Sequence, residues 1–283
     1  MPANLARQYK LLKKIASADL GGAATADLIA DMTVYARGLL AGAERVPLTS
    51  RVPNKEYFGY RGVCASRPIN LGLFTDDAAE FVVSLANFRR GMTGCSSEEI
   101  TRATYCVALT IFAANDIHQV GRKASATFFE VLIGHLVARL TGVNPRKKVR
   151  MPESGTELPT DYVFDMGQEL RKLHLPLKTS TRERAVQAWV HQLVLDRIFG
   201  DGIYKGVLVV SAETKRNNAS GEVIEICTPR QLQMYQSRVA KMSRVYYLDP
   251  PEAYLALSTS RPRLDVKPFG DIFGELTTLL RDE

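Results

Sequence analysis

Two short stretches near residue 168 show a strict alternation of apolar residues along the chain. Tyr162 and Phe164 fall on one face of the first stretch, and three leucines occupy every second position from 173 to 177. A period of two is typical of strands that bury one face. Gly167 and Gln168 stand between the stretches and indicate a turn. The pattern therefore predicts a β-hairpin.

A symmetric hairpin that folds near Glu169 sets charged residues at its open end. Its register places Asp161 opposite Lys178 and Asp165 opposite His174, to within about two residues. A carboxylate in such a position can hold a divalent cation through oxygen. A lysine beside it can orient a water molecule or stabilise charge that develops on a phosphate. The open end of the hairpin is therefore a candidate hydrolytic site.

The pattern predicts a helix directly after the hairpin, ending at Gly200. Ser180 is a good N-cap, and Glu183 three residues later completes a capping box. The first turn also carries Arg182 and Arg184. Arginine can contact guanine O6 and N7 together, and a carboxylate can accept a hydrogen bond from cytosine N4. This turn is therefore a candidate for contacts to G·C pairs.

The order of residues in this region also carries a resemblance. PTD at 159–161 is followed, about seventeen residues later, by LKTSTRERAVQ at 177–187. This order resembles the PD-(D/E)XK nuclease core and, more narrowly, the type II restriction endonucleases that recognise CCGG or CCNGG sites. In that branch the catalytic lysine is followed by a fixed series of residues, which here are Thr179, Arg182, Glu183, Arg184 and Gln187. The resemblance covers roughly residues 120 to 255 and does not extend to the first hundred.

The resemblance implies a role for each matching residue. Asp161 would bind Mg²⁺ together with Glu130, which closes the family-like pattern SATFFE at 125–130, and Lys178 would complete the catalytic set. The residues expected to contact DNA are Arg182, Glu183, Arg184 and Gln187. The implied substrate is double-stranded DNA with a palindromic CC…GG site. Such a target implies a homodimer that cuts both strands.

Two positions depart from the family pattern. Pro176 stands two residues before the lysine, where the superfamily often has Asp, Glu or Ser. His191 stands about thirteen residues after the lysine, where the family usually has a further acid, and Gln192 follows it. These departures leave the number and identity of the metal ligands open. Glu130 would then have to contribute more of the metal binding.

A second stretch competes for the catalytic position. The apolar run KGVLVVSAETK predicts a buried strand and ends in Glu213 and Lys215, which fit the E-x-K spelling. Pairing these residues with Asp161 would leave a gap of some fifty residues that contains a whole helix. We therefore prefer Lys178.

Helical periodicity dominates the chain up to residue 140. Amphipathic or capped helices are predicted at 5–17, 24–43, 75–90, 96–115 and 125–140. The proline-rich segment 45–74 is predicted to be irregular. Within it, residues 53–63 interleave aromatic and basic side chains, which either pack on the core or form a DNA-contacting arm. We predict a mostly helical region at 1–118 and a nuclease core at 119–283. The expected fold class is α/β, a restriction-endonuclease-like mixed β-sheet flanked by helices.

Composition is compatible with this interpretation. The formal net charge of +7 favours a polyanionic partner. No apolar run approaches the length of a membrane span, so no membrane partner is expected. The four cysteines have no CxxC spacing, and a reducing cytoplasm is the expected location.

Two other functions remain open on this sequence. One is a repair or structure-specific nuclease of the same fold. The other is a non-catalytic DNA-binding regulator that reads DNA with its N-terminal helices.

Overall fold

The computed structural model describes residues 2–121, 123–153, 155–167, 169–182 and 185–281. The chain forms two compact units. The first comprises Met1–Leu136 and Thr214–Ile226, and the second comprises Val137–Glu213 and Cys227–Glu283. The predicted boundary between residues 118 and 119 stays a prediction.

The helices are, in chain order, α1 (Pro2–Ala18), α2 (Ala23–Ala41), α3 (Ala78–Arg89), α4 (Ser97–His118), α5 (Ala124–Thr141), α6 (Ala185–Phe199), α7 (Pro229–Arg238), α8 (Glu252–Leu255) and α9 (Ile272–Leu280). The strands are β1 (Glu44–Leu48), β2 (Tyr57–Arg61), β3 (Ile69–Asn70), β4 (Arg146–Arg150), β5 (Glu157–Phe164), β6 (Lys172–Leu175), β7 (Leu177–Lys178), β8 (Tyr204–Val210), β9 (Thr214–Arg216), β10 (Val223–Glu225), β11 (Met242–Tyr247) and β12 (Val266–Pro268). No helix formed by these residues is long and apolar enough to cross a membrane.

Helices α1 to α4 and most of α5 belong to the first unit, at the positions that the apolar periodicity predicts. The capping box at the start of α4 is confirmed, because Ser96 and Glu99 each accept a hydrogen bond from the other's backbone N–H. Helix α4 is buried along most of its length, and its core includes Phe112. It therefore forms the centre around which α2 and α3 pack.

The prediction that residues 45–74 are irregular is wrong. Strands β1, β2 and β3 form an antiparallel sheet in that order. Pro47 lies in β1, an edge strand, where a missing N–H need not break the ladder. Tyr57, Phe58 and Tyr60 of β2 are buried. The aromatic residues of the segment at 53–63 therefore pack in the core, as one of the two alternatives expected.

The second unit is built on a mixed sheet with the strand order β12-β11-β8-β6-β5-β4, and β7 also pairs with β8. Strand β5 pairs antiparallel with both β4 and β6. Strands β6, β7 and β11 pair in parallel with β8, and β12 pairs in parallel with β11. Residues Val207 to Val210 of β8 have no solvent exposure. The predicted α/β class, a mixed sheet flanked by helices, is confirmed.

Helix α6 is held on this sheet by Trp189, which is fully buried. Its ring lies in one apolar cluster with Leu208 and Val210 of β8 and with Tyr247 of β11. The indole N–H donates to Oε1 of Gln236 on α7 over 3.2 Å. One side chain therefore joins two strands and two helices.

We predict that Trp189→Ala lowers the free energy of unfolding by about 3–5 kcal/mol, because it removes a large side chain from a closed core. Denaturant unfolding followed by far-UV circular dichroism would measure this change. Val190→Ala is the matched control, since Val190 on the same helix is 42% exposed and should change stability by less than about 0.5 kcal/mol. Equal effects of the two substitutions would contradict the assignment of Trp189 to the core.

Candidate active site

The predicted hairpin is present, but its register differs from the predicted one by two residues. Val163 pairs with His174, and Phe164 pairs with Leu173. Asp165 therefore does not lie opposite His174, and it forms an ion pair with Lys172 at 2.8 Å instead. A shift of two residues keeps every side chain on its own face of the sheet, so the alternation of apolar residues cannot distinguish the two registers.

Lys178 does not pair with β5 through the backbone. The strand breaks at Pro176, which has no N–H, and β7 continues along β8. The carbonyl of Pro176 accepts from Val209 N–H over 3.1 Å, so the backbone groups of the next residue, Leu177, face away from β8. The N–H of Leu177 donates to Asp161 Oδ2 over 2.7 Å. Pro176 thereby marks the point where Lys178 leaves the hairpin ladder.

The structure nevertheless brings Asp161 and Lys178 together. The Nζ of Lys178 lies 3.4 Å from Asp161 Oδ2, the same oxygen that accepts from the Leu177 N–H. The side chains are 24% and 16% exposed, so this end of the sheet is partly open to solvent. A carboxylate held by a backbone donor beside a lysine can present its remaining oxygen lone pairs to a cation or a water molecule.

A buried hydrogen-bond network lies on the same face of the sheet. His174 has no solvent exposure, and its Nδ1 lies 2.9 Å from Oε1 of Gln192 on α6. The Nε2 of Gln192 donates to Asp196 Oδ1 and to the carbonyl of Tyr204, which fixes the orientation of its amide. Because Gln192 therefore offers only an acceptor to the imidazole, His174 must carry its proton on Nδ1.

The other imidazole nitrogen of His174 has a lone pair without a donor. Within the described part of the chain, His174 Nε2 is buried and has no hydrogen-bond partner. Burial lowers the pKa of His174 to about 4, against the opposing effect of the Gln192 hydrogen bond. The charges of Asp161 and Lys178 also act on it, which places this neutral histidine next to the pair.

Gln192 explains a glycine in the middle of β8. A Cβ built at Gly206 would lie 2.6 Å from Gln192 Oε1 and 2.8 Å from the sulfur of Met242. Only a residue without a side chain leaves room for the amide that holds His174. No pattern in the sequence indicates that His174 and Gln192 form a pair, because they come together only when α6 packs on the sheet.

His191 stands where the family pattern has an acid, and the structure places it beside the same pair. Its ring centroid lies 6.4 Å from that of His174. Burial lowers the pKa of His191, the charge of Lys178 lowers it further, and Asp161 opposes both effects. A neutral imidazole therefore stands near Asp161 in place of a second carboxylate.

Glu213, the competing acid, is engaged elsewhere. It is fully buried and accepts hydrogen bonds from the N–H and hydroxyl of Thr181, and from the hydroxyl of Tyr247 over 2.9 Å. Burial raises the pKa of Glu213, and the Thr181 and Tyr247 hydrogen bonds oppose that rise. Lys215 lies in β9, which belongs to the first unit. Glu213 thus anchors the segment between Lys178 and α6.

The candidate base-reading residues are described only in part. Glu183 and Arg184 lie outside the described residues, and the predicted capping box with Ser180 lies partly outside them as well. Arg182 is exposed and donates from Nε to the Ser180 hydroxyl over 3.1 Å. Gln187 is exposed in the first turn of α6.

Glu130 lies on α5, in the part of that helix that belongs to the first unit, and it is half-buried. Asp161 and Lys178 belong to the second unit. Among the described residues, no three His, Cys, Asp or Glu side chains are arranged to hold a metal ion together. The role of Glu130 as a metal ligand therefore stays a prediction.

The fold of this chain is similar to that of a solved restriction endonuclease. No family model matches the chain, and no curated protein matches its sequence. The crystal structure of the type IIP restriction endonuclease Kpn2I is similar, with a TM-score of 0.84 and 23% identity over 98% of this chain and 97% of that one. A complex of restriction endonuclease PspGI with substrate DNA matches with a TM-score of 0.40 and 13% identity over 72% of this chain and 83% of that one. The predicted restriction-endonuclease-like fold is confirmed by the first of these.

We predict that His174 makes stability depend on pH. Its pKa of about 4 in the folded chain lies below the ordinary value of 6.5. As the pH falls from about 6.5 to about 4, the unfolded chain binds a proton that the folded chain excludes, so folding loses about 3 kcal/mol. Above pH 6.5 this loss is absent.

Chemical denaturation of the wild type and of His174→Phe at pH 7, 5.5 and 4 would measure this effect. The substitution changes stability at every pH, so the informative quantity is the difference between the two proteins in the slope of unfolding free energy against pH. We expect the wild type to lose more stability than the variant on acidification. Parallel curves for the two proteins would contradict a buried neutral His174.

Proposed function

We propose that this protein is a type II restriction endonuclease that hydrolyses phosphodiester bonds of double-stranded DNA with Mg²⁺ as cofactor. The observation that carries the proposal is the contact between Asp161 and Lys178, 3.4 Å apart at a partly open end of the sheet. The overall similarity to Kpn2I, a type IIP restriction endonuclease, supports the same reaction. So does the match of residues 177–187 to the pattern of that class.

The donor atoms at this site suit Mg²⁺. The ion prefers oxygen ligands and is commonly bound by one or two carboxylates together with substrate phosphates and water. Asp161 supplies a partly exposed carboxylate. The Leu177 carbonyl points to the same side of its strand as the N–H that reaches Asp161. We propose Asp161 and Glu130 as the acidic ligands, with the Leu177 carbonyl available where Pro176 replaces an acid.

The bound ion would supply Lewis acidity, lowering the pKa of a water molecule and neutralising charge on the phosphate. Lys178 contributes a positive charge next to Asp161, where it can contact the scissile phosphate or the attacking water. Asp161 keeps this ammonium in place through their contact. His174 and His191 line the same region without adding negative charge, since burial lowers the pKa of each.

Sequence reading is assigned to the segment that follows Lys178. We propose that Arg182, Glu183, Arg184 and Gln187 contact G·C pairs of a palindromic CC…GG site in the major groove. Thr181, which Glu213 holds through three hydrogen-bond contacts, connects this segment to the catalytic lysine. This attachment would couple base recognition to the position of Lys178. A palindromic DNA target that is cut on both strands is matched by two copies of the active site, so we propose a homodimer.

Digestion of phage DNA of known sequence tests the proposal. Purified protein with Mg²⁺ should produce discrete fragments, and sequencing of their ends should show one CC…GG-containing site. A chelator should abolish the cleavage. Scattered ends, or ends at DNA junctions, would favour a repair or structure-specific nuclease. Binding that is independent of Mg²⁺ and never followed by cleavage would favour a non-catalytic regulator.

We predict that Lys178→Ala abolishes cleavage and leaves DNA binding intact, because it removes charge from the reaction centre and not from the base-reading segment. Plasmid digestion and electrophoretic mobility shift would measure the two properties. Lys172→Ala is the matched control: this lysine lies in the same hairpin and is paired with Asp165 at 2.8 Å. Normal cleavage by the Lys178 variant would refute the site.

We predict that Arg184→Ala weakens discrimination at one G·C pair by about 1–3 kcal/mol, because a bidentate contact to guanine is lost. Competition binding with single-base variants of the site would measure it. Arg197→Ala, an exposed arginine in the last turn of α6, is the control. An equal loss of affinity for every sequence would assign Arg184 to the DNA backbone instead.

A further inference from the structure

The hairpin of β9 and β10 is bonded through its backbone to the segment between β1 and β2 in the first unit. Val223 exchanges backbone hydrogen bonds with the segment at 49–51, donating to the Thr49 carbonyl over 2.8 Å and accepting from Arg51 N–H over 2.9 Å. Its side chain is buried in a cluster with Val52 and Tyr57. The side chains of this hairpin therefore have defined positions over β1 and β2.

The acids of this hairpin are already paired. Glu222 forms an ion pair with Arg51 at 2.6 Å, and Glu225 forms one with Lys55 at 3.0 Å. Arg216 on β9 differs from these two basic residues. Of the described residues, none accepts a hydrogen bond from its buried Nε. Burial lowers the pKa of Arg216, and the second cause is the positive charge of Arg61 on β2.

A glycine in β2 leaves space for the Arg216 side chain. A Cβ built at Gly59, in the middle of β2, would lie 2.4 Å from Nη2 of Arg216. Glycine weakens a strand interior and often marks a place where another group approaches closely. Here the group that approaches is the guanidinium. Gly59 therefore creates the space in which Arg216 lies beside Arg61.

We propose that Arg216 and Arg61 together bind a phosphate group of the DNA backbone. A half-buried guanidinium beside a second positive charge, with no carboxylate to balance it among the described groups that act on its pKa, is unfavourable until an anion is present. Arginine is well suited to phosphate, because its planar donors match the phosphate oxygens. Arg61 forms an ion pair with Glu44 at 3.4 Å, and both of these side chains are more than 60% exposed.

This inference rests on the proposed function, since DNA supplies the phosphate. It adds a contact outside the base-reading segment and gives a role to Arg61, which lies in the segment at 53–63. A phosphate contact carries no base information. It should therefore strengthen binding to every sequence equally and make that binding more sensitive to salt.

The test compares full-length variants in DNA binding over a series of salt concentrations. Arg216→Gln should weaken binding to specific and non-specific duplexes alike and reduce the slope of log K against log salt by about 1. Arg102→Gln is the control, because this arginine of the first unit is 44% exposed and paired with Glu80 at 3.5 Å. It should leave the slope unchanged.

Gly59→Ala provides a second variant that leaves the net charge unchanged. Its new methyl group would displace the Arg216 guanidinium, so the salt slope should fall as in Arg216→Gln, and combining the two substitutions should add little. Circular dichroism would verify folding. If folded Arg216→Gln, or folded Gly59→Ala when the former is unstable, keeps the wild-type slope, the phosphate site is wrong while the nuclease proposal stands. Failure of the wild type to bind or cut DNA would overturn both.

Discussion

The carboxylate of Asp161 organises the candidate site, because one of its oxygens accepts from both the Leu177 N–H and the Lys178 ammonium. Pro176 interrupts the ladder just before these donors, so β7 pairs with β8 and not with β5. The side chain of Asp161 therefore bridges a gap that backbone pairing does not close. The position of the lysine follows from this contact, and so does the start of the segment that leads to α6.

The face beneath this contact is polar, buried and almost fully satisfied. Gln192 occupies the space above Gly206 and uses both ends of its amide, donating to Asp196 and Tyr204 and accepting from His174. A partly satisfied network would be costly in a dry interior. Here one acceptor is left without a donor among the described residues, the Nε2 of His174, and the charges of Asp161 and Lys178 act on the same ring.

Two acids of the same unit have contrasting surroundings. Asp161 is partly exposed and shares its oxygen with a lysine, whereas Glu213 is fully buried and surrounded by the donors of Thr181 and Tyr247. Asp161 matches the first acid of the family pattern, and Glu213 matches the acid of its E-x-K spelling. A buried carboxylate whose acceptors are taken serves to hold the chain, and a partly open one can meet a substrate.

Local periodicity in the sequence was sufficient to locate helices α1 to α5 and the hairpin, because strand alternation and helix caps depend on neighbouring residues. The contact of Asp161 with Lys178 was predicted from a register two residues away from the observed one, and it forms through the two side chains. Local periodicity could not distinguish registers two residues apart. The prolines between residues 44 and 70 led to the prediction of an irregular segment where the structure has three strands. Only the tertiary structure placed His174 against Gln192 and Arg216 over Gly59. These pairs join elements distant in the chain, and their contacts depend on how helix and sheet pack.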